Sequence, residues 1–228
     1  MPSIVFDLKG ILMPKSCIEE FGKDLTLYNI RSGSANTLSS LTNGLMSAIT
    51  KKFGNGYAYR FANYAFRGAP KGLVEECSEK YRKLVPSGSK RVVRKIKDLG
   101  LDVGVITHDV NSLCSGVYDE LGIGLDDVKD NDFSFNANQV SGVALDKDGW
   151  PRVHDKAYAL RDYMFGKGYQ PKDIVLVGHD CEEISMARMV KNRIIVPENS
   201  SCRKLKDNAM GVYRHLESLP IMIDIALK

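Results

Sequence analysis

The chain has 228 residues, 43% of them hydrophobic and 26% charged, with a formal net charge of +4. That length suits one domain carrying an insertion, or a large and a small domain, with apolar material enough for a sizeable core. The charge is mild, and its densest run, Lys90-Arg91…Arg94-Lys95…Lys97, has the spacing of a solvated helix face rather than of a nucleic-acid footprint. No apolar run is long enough to span a membrane, and the first residues lack a signal-peptide pattern. Five scattered cysteines (17, 77, 114, 181 and 202) contain no C-x-x-C. They predict reduced, buried thiols in a cytoplasmic protein, with neither a zinc site nor a disulfide framework.

In chain order, Ser3-Ile4-Val5-Phe6 reads as a short buried strand that delivers Asp7 to its C-terminal end, with Gly10 allowing a turn. Residues 14 to 84 lack strong strand signals and show helical spacing between Gly/Ser/Asn breaks. One stripe is Leu38, Leu41, Leu45 and Ile49; another is Leu73, Cys77, Tyr81 and Leu84. From Pro86 the pattern alternates. A helix ends at Leu99-Gly100, a strand runs from Asp102 to Ile106 and ends at Thr107-His108-Asp109, and a helix covers about 110–121. Residues 131–145 read as a hairpin with Asn136-Ala137-Asn138 as its turn. A helix over 155–166, a strand over 173–178, a helix over 182–190, a strand over 193–197 and a short strand at Gly211-Val212-Tyr213 complete the series. Continuous apolar strands alternating with helices predict an α/β protein whose parallel sheet is covered on both faces.

Chemistry-bearing residues recur at strand ends and helix starts. Asp7 can serve as a nucleophile and Thr107 can donate to a phosphoryl oxygen. Lys156 can neutralise developing charge, and the acids of His179-Asp180…Glu182-Glu183 can hold Mg²⁺. Taken singly each has a commoner explanation: a turn or capping Asp, a β-forming Thr, a surface Lys.

In order, these segments resemble the haloacid dehalogenase-like (HAD) superfamily, in its phosphoserine-phosphatase-like branch. The first motif is Val5-Phe6-Asp7-Leu8-Lys9-Gly10-Ile11-Leu12 and the second Val105-Ile106-Thr107. The third is His154-Asp155-Lys156-Ala157-Tyr158-Ala159-Leu160, and the fourth runs from Val177-Gly178-His179-Asp180 to Ala187. The resemblance covers Ile4 to about Pro197. It implies a Rossmann-like parallel sheet core flanked by helices (1–13 and 85–228), with a small helical cap (14–84) inserted after the first strand. It also implies a Mg²⁺-dependent phosphatase of a small phosphorylated metabolite, with no nucleic-acid or membrane partner. Asp7 would form an aspartyl-phosphate. The Asp7 carboxylate, the Lys9 carbonyl and Asp180 would hold the metal, and Thr107, His108 and Lys156 would bind the phosphoryl group. His179 and Glu183 would stand behind them.

Two positions depart from the family pattern. Lys9 stands where these phosphatases carry the Asp that acts as general acid/base, and His179 stands where their first fourth-motif Asp binds the metal. Lys9 is therefore expected to act on the catalytic step as a cation or proton donor, being a poor base at its ordinary pKa. His108 or His154 could stand in for the missing carboxylate. Ser16 replaces the cap Glu by which phosphoserine phosphatases read the substrate amine, so phosphoserine is not supported. Arg60 and Arg67 could contact an anionic substrate. The competing reading is a HAD-like protein that binds a phospho-ligand or a partner without turnover; a metal-independent, dehalogenase-type hydrolase is the third.

Overall fold

The computed structural model describes residues 2–32, 66–190, 193–200 and 202–227. Residues 33–65 of the proposed cap, with the Leu38–Ile49 stripe and Arg60, lie outside the described residues. The chain runs β1 (Ser3–Phe6), α1 (Cys17–Arg31), α2 (Lys71–Arg82), α3 (Ser87–Asp98), β2 (Asp102–Val110), α4 (Asn111–Leu121) and β3 (Val128–Asn131). The hairpin β4 (Phe133–Asn136) and β5 (Gln139–Val143) follows, then α5 (Lys156–Lys167), β6 (Ile174–Val177) and α6 (Ile184–Ala187). The chain continues with β7 (Ile194–Pro197), α7 (Arg203–Asp207), β8 (Gly211–Tyr213) and α8 (Leu219–Leu227).

Six strands form a sheet in the order β3-β2-β1-β6-β7-β8, every pairing parallel. This is the expected Rossmann-like α/β core. Side chains alternate across it because successive Cβ atoms of a strand point to opposite faces. Ile4 and Phe6 of β1, Val103 and Val105 of β2, and Val175 and Val177 of β6 enter one apolar cluster, with Val92, Ile96, Leu113 and Val117 from α3 and α4. Val5, Ile106, Ile174 and Leu176 enter the other, with Leu160, Tyr163 and Met164 of α5. The strand order reverses between β1 and β6, and in such sheets ligands bind in the crevice beyond the strands' carboxyl ends at that reversal. Phe6 is in register with Val177 on one side and Val105 on the other, so Asp7 leaves the sheet beside Gly178.

Helix α1 begins where the Ser16 side chain accepts from the Glu19 N–H, an N-cap. Its buried residues Cys17, Ile18, Phe21 and Leu25 share the first cluster with Val74, Cys77 and Tyr81 of α2. In the α2 stripe, Val74 is buried and Leu84 is 51% exposed, so the buried face lies one position away from the expected one at each end. Three further elements differ from expectation. Val128–Asn131 is a strand of the main sheet, and the hairpin proper starts at Phe133. The helix expected over 182–190 is a 3-10 turn, Cys181–Glu183, followed by the short α6. α8 was not anticipated; it buries Leu219 and Ile223 against α3 and β8. Among the described residues, no helix is long and apolar enough to cross a membrane.

Candidate active site

Lys156 is the first residue of α5, placed there by Asp155, whose carboxylate caps the helix by accepting from the Ala157 N–H at 2.9 Å. Its ammonium is buried, 3.0 Å from Asp7 Oδ2, 2.8 Å from Glu183 Oε1 and 3.6 Å from Glu182 Oε2. One cation thus gathers a carboxylate from the end of β1 and two from the turn after β6. The other Asp7 oxygen accepts from the Leu8 N–H at 2.9 Å. Glu183 is fully buried, and its second oxygen accepts from the His179 and Asp180 N–H groups at 3.1 and 2.7 Å. Gly178 makes room for it: a Cβ there would lie 3.3 Å from that of Glu183.

The electrostatics of this cluster are lopsided. Burial, together with Glu183 and Glu182 and against the pull of Lys156, raises Asp7 well above the usual carboxylate range. Burial likewise pushes Asp180 up to about 6, with Glu183 and Glu182 adding to it. Burial opposes the Lys156 charge, but Asp7, Glu183 and Glu182 outweigh it and hold the ammonium well above its ordinary value. For Glu183 burial is overridden by Lys156, and its carboxylate sits below the usual range.

Thr107 is buried in an irregular stretch of β2, where the pairing with β3 shifts register between Ile106 and Val110. Such bulges re-aim side chains and are frequent beside active sites. The Thr107 hydroxyl oxygen accepts from the Asp109 N–H at 3.2 Å, which leaves its O–H to be donated. His108 follows, its side chain 11% exposed, with Nδ1 3.3 Å from Glu182 Oε2. Asp109 turns to the start of α1, accepting from Ser16 Oγ at 2.7 Å and the Ile18 N–H at 2.9 Å. Ser16 is thereby committed to the helix start.

Lys9 departs from the role expected of it. Its ammonium pairs with Glu19 of α1 at 2.7 Å, and the side chain is 43% exposed. Burial works to lower its pKa, but the bond to Glu19 holds it above the ordinary value, so Lys9 stays protonated and cannot act as a base. The cation on Asp7 is Lys156. The backbone of Lys9 lies in the tight turn after β1, where Gly10 has φ +78° and its N–H donates to the Met13 carbonyl. A Cβ on Gly10 would lie 2.8 Å from Cγ and Nδ1 of His179, so the two motif loops touch through that ring. Gly10→Ala is therefore expected to lower stability by about 1–3 kcal/mol through the left-handed backbone and the clash. Gly72→Ala on α2, with open space around it, is expected to be neutral or slightly stabilising; thermal melts of both variants check this.

His154 is engaged with other groups: its Nδ1 is 3.1 Å from the Pro151 carbonyl and its ring lies against those of Trp150 and Tyr158. Arg67 is exposed. One residue of this region has no functional signature in the sequence. Asn131, at the end of β3, donates to the His108 carbonyl at 3.0 Å and accepts from the Val153 N–H at 2.8 Å, tying the end of β2 to the approach of Lys156. Glu182, read in the sequence as one of the acids able to hold Mg²⁺, instead bridges Lys156 and His108.

The cysteine reading requires correction. Cys181, inside the acidic turn, forms a disulfide with Cys202, and Cys17, Cys77 and Cys114 are free and buried. The fold brings the turn after β6 and the start of α7 to a Cα–Cα distance of 5.0 Å, a proximity that a sequence separation of 21 conceals. Ser200 Oγ clamps the same turn by donating to the His179 carbonyl at 2.6 Å. Closing a loop of that length is worth about 3 kcal/mol. A dithiol reductant is expected to lower the melting temperature of the parent and to leave a Cys181→Ser/Cys202→Ala variant unmoved.

No protein-family model and no curated protein sequence matches the chain. Solved structures do. A substrate-bound phosphoserine phosphatase superposes with a TM-score of 0.71 at 16% identity, over 98% of this chain and 97% of the other. A phosphoserine phosphohydrolase-like protein from Francisella tularensis gives 0.71 at 15% identity, over 98% and 100%. A HAD family hydrolase from Salmonella enterica serovar Typhi gives 0.73 at 12% identity, over 97% and 71%. The fold is that of the HAD hydrolases, in their phosphoserine-phosphatase-like form. In this chain Asp7, Thr107 and Lys156 all lie at the carboxyl end of the sheet; Asp7 and Lys156 touch, and Lys9 is drawn toward α1.

Proposed function

We propose that this protein is a phosphomonoester hydrolase acting on a small phosphorylated metabolite through an aspartyl-phosphate on Asp7. The observation that carries the reading is the buried Asp7–Lys156–Glu183 ion cluster at the strand-order reversal. A structural protein gains little from burying two carboxylates around one ammonium, since apolar residues of similar size would serve as well. A site that must receive a phosphoryl group uses such a lysine to stabilise charge that grows during transfer.

Mg²⁺ fits the site in charge and donor chemistry. The donors are carboxylate oxygens, the type that hard divalent cations select, and burial, with Glu183 and Glu182 adding to it, raises Asp7 and Asp180, which a bound cation would offset. Asp180, Glu182 and Glu183 cluster closely enough to share an ion. Glu183 is committed to Lys156 and two backbone N–H groups, and Glu182 to Lys156 and His108. Asp180, with Asp7 and the Lys9 carbonyl, would therefore hold the metal, and His179, a poor ligand for Mg²⁺, would stand behind them packed on Gly10. When bound, the ion would supply charge neutralisation to the phosphoryl oxygens.

The chain's own residues account for the rest. Thr107 donates its hydroxyl to the phosphoryl group, and Lys156 orients Asp7 and neutralises the transferred charge. Glu183 fixes Lys156 and the turn bearing Asp180. Similarity to phosphoserine phosphatases does not extend to their substrate, because Ser16 is occupied by Asp109 and the N–H of Glu19. Hydrolysis of an aryl phosphate with and without Mg²⁺, followed by a phosphometabolite panel, tests the proposal. Metal-dependent turnover supports it; folded protein inert toward the whole panel contradicts it and favours the non-catalytic binding reading.

A further inference from the structure

An aspartyl-phosphate must be hydrolysed by water, and that step needs a base. Lys9 is protonated and tied to Glu19, the Asp180 carboxylate caps its own turn and is assigned to the metal, and the His179 ring is packed against Gly10. His154 bonds a backbone carbonyl. His108 is placed differently. It adjoins Thr107 at the end of β2, and it is held at its backbone by Asn131 and at Nδ1 by Glu182 Oε2, 3.3 Å away. Glu182 is in turn 3.6 Å from the lysine that bridges to Asp7. A histidine oriented by a carboxylate beside a covalent-intermediate site is the standard arrangement of a general base with its positioning partner.

We infer that His108, positioned by Glu182, is the general base for breakdown of the phosphoenzyme, taking the part that a carboxylate at position 9 plays in related folds. The inference rests on the phosphatase reading. In the step, a water oxygen attacks phosphorus and one water proton passes to His108. The bond from phosphorus to the Asp7 oxygen breaks, its electron pair returning to the carboxylate, and inorganic phosphate leaves. The imidazolium then releases its proton to solvent, stabilised meanwhile by Glu182. The charged groups facing His108 are Glu182 and Glu183 from the turn after β6 and Lys156 from α5. Burial, helped by Lys156 and opposed by Glu182, lowers the imidazole below its ordinary value, which keeps it neutral and able to accept a proton at neutral pH.

The test is a rapid-mixing experiment on the full chain with an aryl phosphate and Mg²⁺, following aryl alcohol release and, after an acid quench, the phosphoryl group on the peptide containing Asp7. His108→Gln is expected to keep the initial burst of alcohol, to accumulate phosphoenzyme, and to slow steady-state turnover by about 10²–10⁴-fold. Glu182→Gln is expected to accumulate it to a lesser degree. A His108→Gln protein that dephosphorylates at the parental rate, or that loses the burst as well, overturns the assignment. Absence of any burst in the parent instead sinks the phosphatase reading itself. If His108→Gln does not fold, Glu182→Gln decides: phosphoenzyme breakdown at the parental rate in that variant overturns the inference.

Discussion

Asp7→Asn is expected to abolish turnover of an aryl phosphate, by at least about 10⁴-fold, while leaving the protein as stable as its parent. The two halves of this expectation come from the same geometry. The amide is uncharged and a poor nucleophile, and attack through its oxygen would not give an acyl-phosphate, so the covalent route closes. Folding, by contrast, holds Asp7 in a place that favours its neutral form, because the carboxyl is buried beside Glu183 and Glu182. A group whose folded pKa is raised disfavours folding at pH values above it, so a neutral isostere removes that opposition. Lys156 keeps Glu183 at 2.8 Å and is not orphaned by the change. Lost activity with an unchanged melting temperature separates a nucleophile from a structural carboxylate; a coincident loss of both would assign Asp7 to the scaffold.

Lys156→Met is expected to be the most destabilising change in the site, by about 3–5 kcal/mol, because it leaves two buried carboxylates without a cation. In a domain of this size that corresponds to a fall in melting temperature on the order of 10 °C. The pH dependence has a definite sign. Lys156 depresses the folded pKa of Glu183, so the stability from this pair is present above the ordinary Glu pKa and disappears as pH falls through the folded value. The gap between parent and Lys156→Met is therefore widest near neutral pH and closes in acid, where protonation relieves the orphaned carboxylates. Adding Glu183→Gln to Lys156→Met should recover part of the loss. Melts of the three proteins across pH check this, and a gap that does not change with pH would mean that packing, not charge, accounts for the effect.

What the sequence conveys about this molecule follows from the range of the interactions involved. The strand runs Ile4-Val5-Phe6 and Ile174-Val175-Leu176-Val177 are apolar throughout because both faces of the sheet are covered, and a one-dimensional pattern is enough to show that. The convergence of Asp7 and Lys156 is legible for a related reason: the strand ends and the helix starts of a parallel α/β sheet share one edge. The partners of polar side chains are not. Nothing local distinguishes Lys9 pointing to Asp7 from Lys9 pointing to Glu19, ten residues away on α1. Nothing local reveals that Cys181 meets Cys202, or that Asn131 ties β2 to Val153. The helix expected over 182–190 is shortened because Asp180 and Glu183 form a reciprocal cap around the turn Cys181–Glu183, which ends at Ile184. α8 could have been found from Leu219 and Ile223, four apart and both fully buried, although its exposed Ile221 and Ile225 blur the stripe.

The central claim is that Asp7 carries the phosphoryl group. The direct measurement is to quench the protein in acid during turnover of a phosphomonoester, digest it, and locate the phosphoryl group by peptide mass. The account predicts one phosphoryl group per chain at saturation, on the peptide containing Asp7, and none in Asp7→Asn. Turnover that proceeds with the group on another residue, or with no covalent intermediate under conditions that trap His108→Gln, would contradict it.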